Sequence, residues 1–239
     1  MALRLPRTTR GILAMIAATF AAVVVGGSAF IYFVIFPTSA PAPFRLLAAR
    51  DPVAVSSAAS LAGTWKIAAG SQAGYRVREK LATLPAESDA VGRTSQITGS
   101  ATFAQSGGAL RVTAASFVTN VESLTSDSSM RDEHIRTIGI QSATYPTSTF
   151  KLTKPLTLPA SALKGGVVHT TITGDVTMHG TTKLLTIPLE LTLSSSKIRA
   201  VGSYTFPWGL FKMSPPDYAG FVTVASTATM EFDLQLTRG

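Results

Sequence analysis

The sequence predicts an all-β, antiparallel domain preceded by one membrane-spanning helix. Three observations carry that expectation. Residues 11–36 contain no charged side chain. From Gly63 onward, apolar and polar residues alternate in segment after segment, the pattern of strands with one buried face. Gly107-Gly108, Gly165-Gly166 and His179-Gly180 punctuate those segments as turns. Many one-sided strands at this spacing describe an antiparallel sandwich or barrel.

Residues 1–10 carry Arg4, Arg7 and Arg10 and no acid, and read as a cytoplasmic N-terminus. The uncharged run 11–36 is 26 residues long, and a bilayer requires roughly 20. It also exceeds the ~7–15-residue apolar core of a cleavable signal. Arginines before the run orient it with the N-terminus inside. Thr38-Ser39-Ala40 resembles a cleavage site only weakly, and Pro41 disfavours cutting there. The expectation is therefore an uncleaved, single-pass signal anchor in the cell membrane, with the C-terminal domain outside the cytoplasm. Residues 37–62, rich in Pro, Ala and Ser, read as a flexible linker, with Phe44–Ala49 as a short amphipathic piece. The domain proper spans 63–239.

The 239 residues carry a net charge of +8, of which the three N-terminal arginines supply 3 and leave +5. That surplus favours mild attraction to anionic lipid surfaces. No Lys/Arg cluster with interleaved aromatics points to nucleic acid. Cysteine is absent, which excludes disulfides, thiolate chemistry and a lipid-modified cysteine.

In chain order, Tyr75, Val77 and Leu81 alternate with Arg76, Arg78 and Lys80, and Glu79 intrudes on the apolar side. Ile97, Ala101 and Phe103 form the apolar side of the next segment. Val168, Ile172, Val176 and Met178 face one way, opposite His169, Thr171, Thr173, Asp175 and Thr177. Leu185, Ile187, Leu189, Leu191 and Leu193 follow, then Met230, Phe232, Leu234 and Leu236. Pro188 belongs where no ladder donor is needed. Between these strands, "RDEHIRTIGI" breaks the alternation. Asp127, Ser128 or Ser129 can cap a short helix there. Asp132 and Arg136 are spaced to pair across a turn, Ile135, Ile138 and Ile140 give it an apolar side, and Gly139 is a stop signal. Tyr145-Pro146 returns the chain to extended form.

Three histidines raise the question of a metal. His169 and His179 are ten residues apart on one polar face, about 33 Å along a continuous strand, and no metal-binding spacing occurs in the sequence. No metal and no cofactor are expected, and His179 reads as a turn residue bonded to a neighbouring loop. Asp132 and His134 stand two apart, a separation that does not face on a helix. No nucleophile motif accompanies them, so an enzyme is not expected. Arg131 and Asp132 instead tie the helical plug to the sheet.

Arg131-Asp132, His134, Tyr145-Pro146 and Phe150, in that order, resemble the central signature of the YceI-like family, lipocalin-like barrels that bind polyisoprenoids or other long-chain lipids. Trp65, Ser71, Ala73, Tyr75 and Val77 match that family's opening strands, although Glu79 stands where a His is usual. Ile138-Gly139-Ile140 replaces a frequent aromatic pair. "GDVTMHGTTKLLTIPLEL", Gly174 to Leu191, is similar to its second signature, and "FDLQL" to its last strand. The resemblance covers residues 63–239 and implies an antiparallel lipocalin-like β-barrel with a short helical plug.

On pattern alone, small inward residues (Gly99, Ala101, Ala200, Gly202) beside large ones read as a packed core. The resemblance instead implies a lumen that holds an isoprenoid or other long-chain lipid. Its lining would be Tyr75, Val77, Phe103, Phe150, Val168, Ile172, Val176, Met178, Ile187 and Phe206. Glu79, Arg131, His134 and Trp208 would lie near a head group or the mouth. "FPWGLFKMSPPDY", Phe206 to Tyr218, reads as a mouth loop or a packed crossover, and its Trp208, Phe211 and Met213 could reach membrane lipid. The competing expectation is an envelope structural or stress-response module whose barrel is filled by its own side chains.

Overall fold

The computed structural model describes residues 19–20, 40–46, 54–81, 87–216 and 222–239. Its strands are β1 (Gly63–Ile67), β2 (Gln72–Leu81), β3 (Glu87–Thr94), β4 (Ile97–Ser106), β5 (Ala109–Asn120), β6 (Thr147–Leu152), β7 (Leu156–Thr157), β8 (Val168–Met178), β9 (Thr181–Leu193), β10 (Ile198–Pro207), β11 (Val222–Val224) and β12 (Thr227–Arg238). A helix, α1 (Ser129–Thr137), lies between β5 and β6.

The strands form eight antiparallel staves. β1 and β2 are one stave, because both pair with β12, through Trp65–Ile67 and Gln72–Arg76 respectively. The step between them is a bulge at 68–71. There Gly70 takes φ 89°, and the Ser71 hydroxyl donates to Ala68 O at 2.8 Å and accepts from Gln235 N at 2.9 Å. β3 and β4 likewise make one stave, against β2 and β1. Pairing continues β4–β5–β6–β8–β9–β10–β12 and returns to β1, closing the ring. The ring is an all-β antiparallel barrel, and the alternation read from the sequence is its inside and outside. Val168, Ile172, Val176 and Met178 are buried, as are the five apolar residues Leu185 to Leu193. Pro188 falls where the β9–β10 ladder has ended, at Leu189–Gly202.

Two covers close the barrel ends. Residues 54–62 and 160–164 close one, with Val55, Ala58, Leu61 and Ala162 buried and Val55 N bonded to Leu163 O at 2.8 Å. The connection 121–146, which contains α1, covers the other together with Trp208–Pro216. Ser128 caps α1, its hydroxyl accepting from Arg131 N. Two details of the plug differ from expectation. Asp132 does not pair with Arg136; its carboxylate accepts from Ser126 N at 2.8 Å and Ser126 Oγ at 2.7 Å. Of the three isoleucines, Ile135 and Ile140 point inward while Ile138 is exposed, because the helix has ended at Thr137.

The outer polar face is not uniformly wet. Residues 40–46, within the stretch expected to be a linker, lie along the outside of the barrel. Arg76 donates to Pro41 O at 2.6 Å and Arg93 to Ala42 O at 2.6 Å. The Arg93 guanidinium sits 3.8 Å from the centroid of the Phe44 ring, and Leu46 N donates to Glu190 Oε2 at 2.9 Å. Between these points Glu231 and Val201, both on the outer face, are only 4% and 3% exposed. Glu231 is held there by Arg93 at 2.8 Å and Arg76 at 3.4 Å.

The expected membrane span, 11–36, lies outside the described residues except for Thr19 and Phe20, which are helical. Among the described residues no helix is long and apolar enough to cross a membrane. Residues 47–49 of the expected amphipathic piece, the Leu81 side chain, and Asp217 and Tyr218 also lie outside them.

Candidate lipid-binding lumen

Small and large inward residues do not interdigitate throughout this barrel. At the plug end they leave an apolar cavity of about 150 Å³. The reason is local. The Tyr75 ring lies on Gly92, its pairing partner on the next strand: a Cβ at residue 92 would stand 2.3 Å from the ring. Phe150 lies on Gly174, diagonally across the β6–β8 pair, at 2.5 Å. Phe117 on Gly99 and Phe232 on Gly202 repeat the arrangement. Each glycine gives its neighbour's ring a place along the wall, so the rings do not fill the bore. Phe117 and Phe150 stack with centroids 6.5 Å apart.

Of the residues expected to line a lumen, Tyr75, Phe150, Ile172, Val176, Met178, Ile187 and Phe206 do so. Val77, Phe103 and Val168 are buried but belong to the packed part of the core. Phe103 meets the edge of Trp65, centroids 6.4 Å apart, near the end away from the plug. Sequence reasoning missed Phe117, Phe232 and Leu234 as lining residues. Phe117 escaped because β5 changes register against β4 between Thr102 and Phe103. Leu110 and Val112 therefore share the inner face with Ala115 and Phe117, and the period of two breaks. Phe232 and Leu234 were recognised as inward, and only the position of the cavity along the barrel could have singled them out.

The mouth is built from three segments. From α1, Arg131 is only 7% exposed and reaches Glu79 at 3.3 Å, with Asp127 as a second partner. Burial disfavours the Arg131 charge, but the Glu79 carboxylate outweighs it and holds the guanidinium pKa above its ordinary value. Glu79, the odd charge on an apolar face, thus faces a basic partner, and Arg131 ties the plug to the sheet. Asp132 makes no such tie; it serves the loop before its own helix. His134 donates from Nδ1 to Met130 O at 2.9 Å, one turn back on α1.

His179 joins all three segments. It sits at φ 49° in the β8–β9 turn. Nδ1–H donates to Phe211 O at 3.2 Å, Nε2 meets the Gln141 side-chain amide at 3.0 Å, and the ring packs on Tyr145 at 4.3 Å. A cavity-lining residue flanks each joint: Met178, Ile140 and Met213. Trp208 also lines the cavity, and its Nε1–H donates to Ala225 O at 2.9 Å. Trp208, Phe211 and Met213 are buried, so none of them is offered to membrane lipid; the segment is a packed crossover at the mouth. His169 pairs with Glu190 at 3.6 Å. Among the described residues, no group of three or more His, Asp or Glu is placed to hold a metal.

Chemically, this is an apolar bore with one polar, charge-compensated rim. It can desolvate an aliphatic chain.

A model of the YceI-like domain matches residues 65–236. The chain is similar to a UPF0312 protein of Vibrio parahaemolyticus, 33% identical over 118 residues, 49% of this chain and 51% of that protein. A UPF0312 protein of Vibrio cholerae is 30% identical over 128 residues, 52% of this chain and 56% of that one. The chain therefore spans about half the length of the curated relatives it matches. Among solved structures, a polyisoprenoid binding domain from Saccharophagus degradans superposes with a TM-score of 0.55. It is 14% identical, over 74% of this chain and 98% of that one, a likeness that speaks for the fold.

Proposed function

The chain belongs to the YceI-like family through the match over residues 65–236, and from that premise we propose that its barrel binds the apolar chain of an isoprenoid or similar lipid without transforming it. The observation that carries this reading is the apolar cavity kept open by rings laid on glycines. The similar Saccharophagus degradans domain is described as polyisoprenoid binding, which supports the same ligand chemistry here. Each methylene taken from water into such a bore contributes about 0.8 kcal/mol before ordering costs, so affinity requires no head-group contact. The non-catalytic reading is supported by the occupation of Asp132 by Ser126 and of the His134 Nδ1 by Met130 O.

The reading places the barrel at the extracytoplasmic face of the cell membrane, held by residues 11–36. Its support is the uncharged run and the three arginines before it. Full-length protein should stay with membranes through an alkaline wash; a released chain beginning near Pro41 would mark a cleaved signal.

Residues 40–239 form one compact unit, and lipid extraction with native mass spectrometry on that unit tests the ligand. Bound isoprenoid, or uptake of added isoprenoid, is the expected result. Protein that stays empty after reconstitution would leave the alternative, a structural or stress-response module of the envelope. The tightly filled half of the barrel around Trp65 favours that alternative. Turnover of the bound lipid would overturn the non-catalytic reading.

A further inference from the structure

The lumen has a floor. Along β8 its lining runs from Met178 at the mouth to Ile172, and along β9 it stops at Ile187. Six residues at ~3.3 Å each, in staves tilted by about 40°, make a lumen roughly 15 Å deep. Below that depth the bore is packed, and the largest side chain there is Trp65, which pairs with Ala101 and Arg238, beyond the lining residues Ile97 and Leu234. It is fully buried, its Nε1–H donates to Leu61 O at 2.9 Å, and its ring meets Phe103 on one side and the Arg238 guanidinium, at 5.1 Å, on another. Leu61 and Leu110 seal the end behind it. Moving Trp65 aside would break a buried hydrogen bond and two ring contacts together, so the floor is rigid compared with the mouth.

We propose that this barrel takes a short isoprenoid, about three isoprene units or fewer by the depth of the lumen, and that Trp65, backed by Phe103, sets the limit. The proposal rests on the lipid-binding reading above and narrows it. A chain that enters at the mouth meets Trp65 before its fourth unit is covered. Any further unit stays outside the bore, in water or in whatever membrane or micelle supplied the chain. Up to the floor, each added unit raises affinity; beyond it, added length favours the source of the lipid over the protein. The empty cavity, about 150 Å³, is of the size that takes up a guest of about six carbons, so depth sets only the upper limit and a chain of three units enters by widening the bore along its length.

The test uses full-length protein in detergent micelles. Prenols of two, three, four and eight isoprene units are supplied together at equal micellar mole fraction, and native mass spectrometry counts the bound species. The three-unit prenol should exceed the eight-unit prenol by at least about tenfold, a loss comparable with leaving about two methylenes unburied. Equal or greater occupancy by the eight-unit prenol overturns the length limit while leaving lipid binding intact. Binding of no prenol removes the lipid reading, and the length limit with it. Two variants locate the floor. Trp65→Leu should move the preferred length upward. Ile172→Phe, one layer above the floor, should move it to two units, and it keeps the test decisive if Trp65→Leu does not fold. An unchanged preference in a folded Ile172→Phe protein overturns the assignment of the floor.

Discussion

At the scale of single residues, the lumen depends on what four glycines lack. Gly92 is the cleanest case, because the three atoms nearest to a Cβ there all belong to the Tyr75 side chain. Gly92→Ala should swing that ring into the bore. Lipid uptake should fall at least about tenfold, and the cost in stability should stay within the ~1–3 kcal/mol usual for overpacking. Isothermal lipid titration beside a thermal melt separates the two effects, and unchanged uptake would count against the ring-on-glycine account. Glu79 makes a different prediction. Removing it leaves Arg131 buried without its main partner, so Glu79→Ala should destabilise by about 3–5 kcal/mol. Adding Arg131→Met to that variant should recover much of the loss, which denaturant melts of the single and double variants will measure. The sequence made Glu79 visible as a charge on an apolar face. It could not show that the partner sits 52 residues away on the plug, because a helix of nine residues can dock in several ways.

Elements show where local patterning is overridden. The period of two gave the inner faces correctly over residues 75–77, 97–103, 168–178 and 185–193, because each of these stretches keeps one face on the core. It gave no face for β5, where a bulge changes parity, and it placed Glu231 and Asp233 on the outside of β12 without showing that arginines bury them there. No local signal distinguishes a wet carboxylate from one covered by a distant guanidinium. The segment 40–46 was illegible for the same reason: its Pro-rich composition says that it forms no regular structure, not that it is free. Two predictions belong here. Arg45 is exposed within the docked segment, yet a protease needs a detached strand. Phe44→Ala should speed tryptic cleavage after Arg45 while the melting temperature moves by no more than about 2 °C. Equal cleavage rates would show that the ring does not hold the segment. On the same face, burial works against the Asp89 charge, but hydrogen bonds from Arg78 and Arg76 prevail and hold its pKa below the ordinary 3.8. The folded state therefore binds this proton less readily than the unfolded state. The contribution is present above about pH 4 and is lost as pH falls through the depressed value. Asp89→Asn should flatten the acid limb of the stability profile by less than about 1 kcal/mol, since the site is partly exposed.

For the whole molecule, the antiparallel all-β class was legible, because many one-sided strands with short turns leave few ways to bury their apolar faces, and the resemblance to a barrel family chose the barrel over the sandwich. The division into an open half and a filled half was not legible. Both halves use the same residue types, and what separates them is whether an aromatic side chain finds a glycine beside it or, like Trp65, lies across the bore. Ring closure carries a further consequence, for biogenesis. The final strand, β12, pairs with β10 on one side and with both β1 and β2 on the other. Until it arrives, everything before it is an open sheet with two unpaired edges, the form most prone to join another chain. Contacts between residues 63–76 and 229–238 are also among the most sequence-distant in the domain, so they form late and slowly. The nascent domain must therefore remain unclosed until its last dozen residues have left the ribosome, and during that interval its open edges are the place where misassembly would begin.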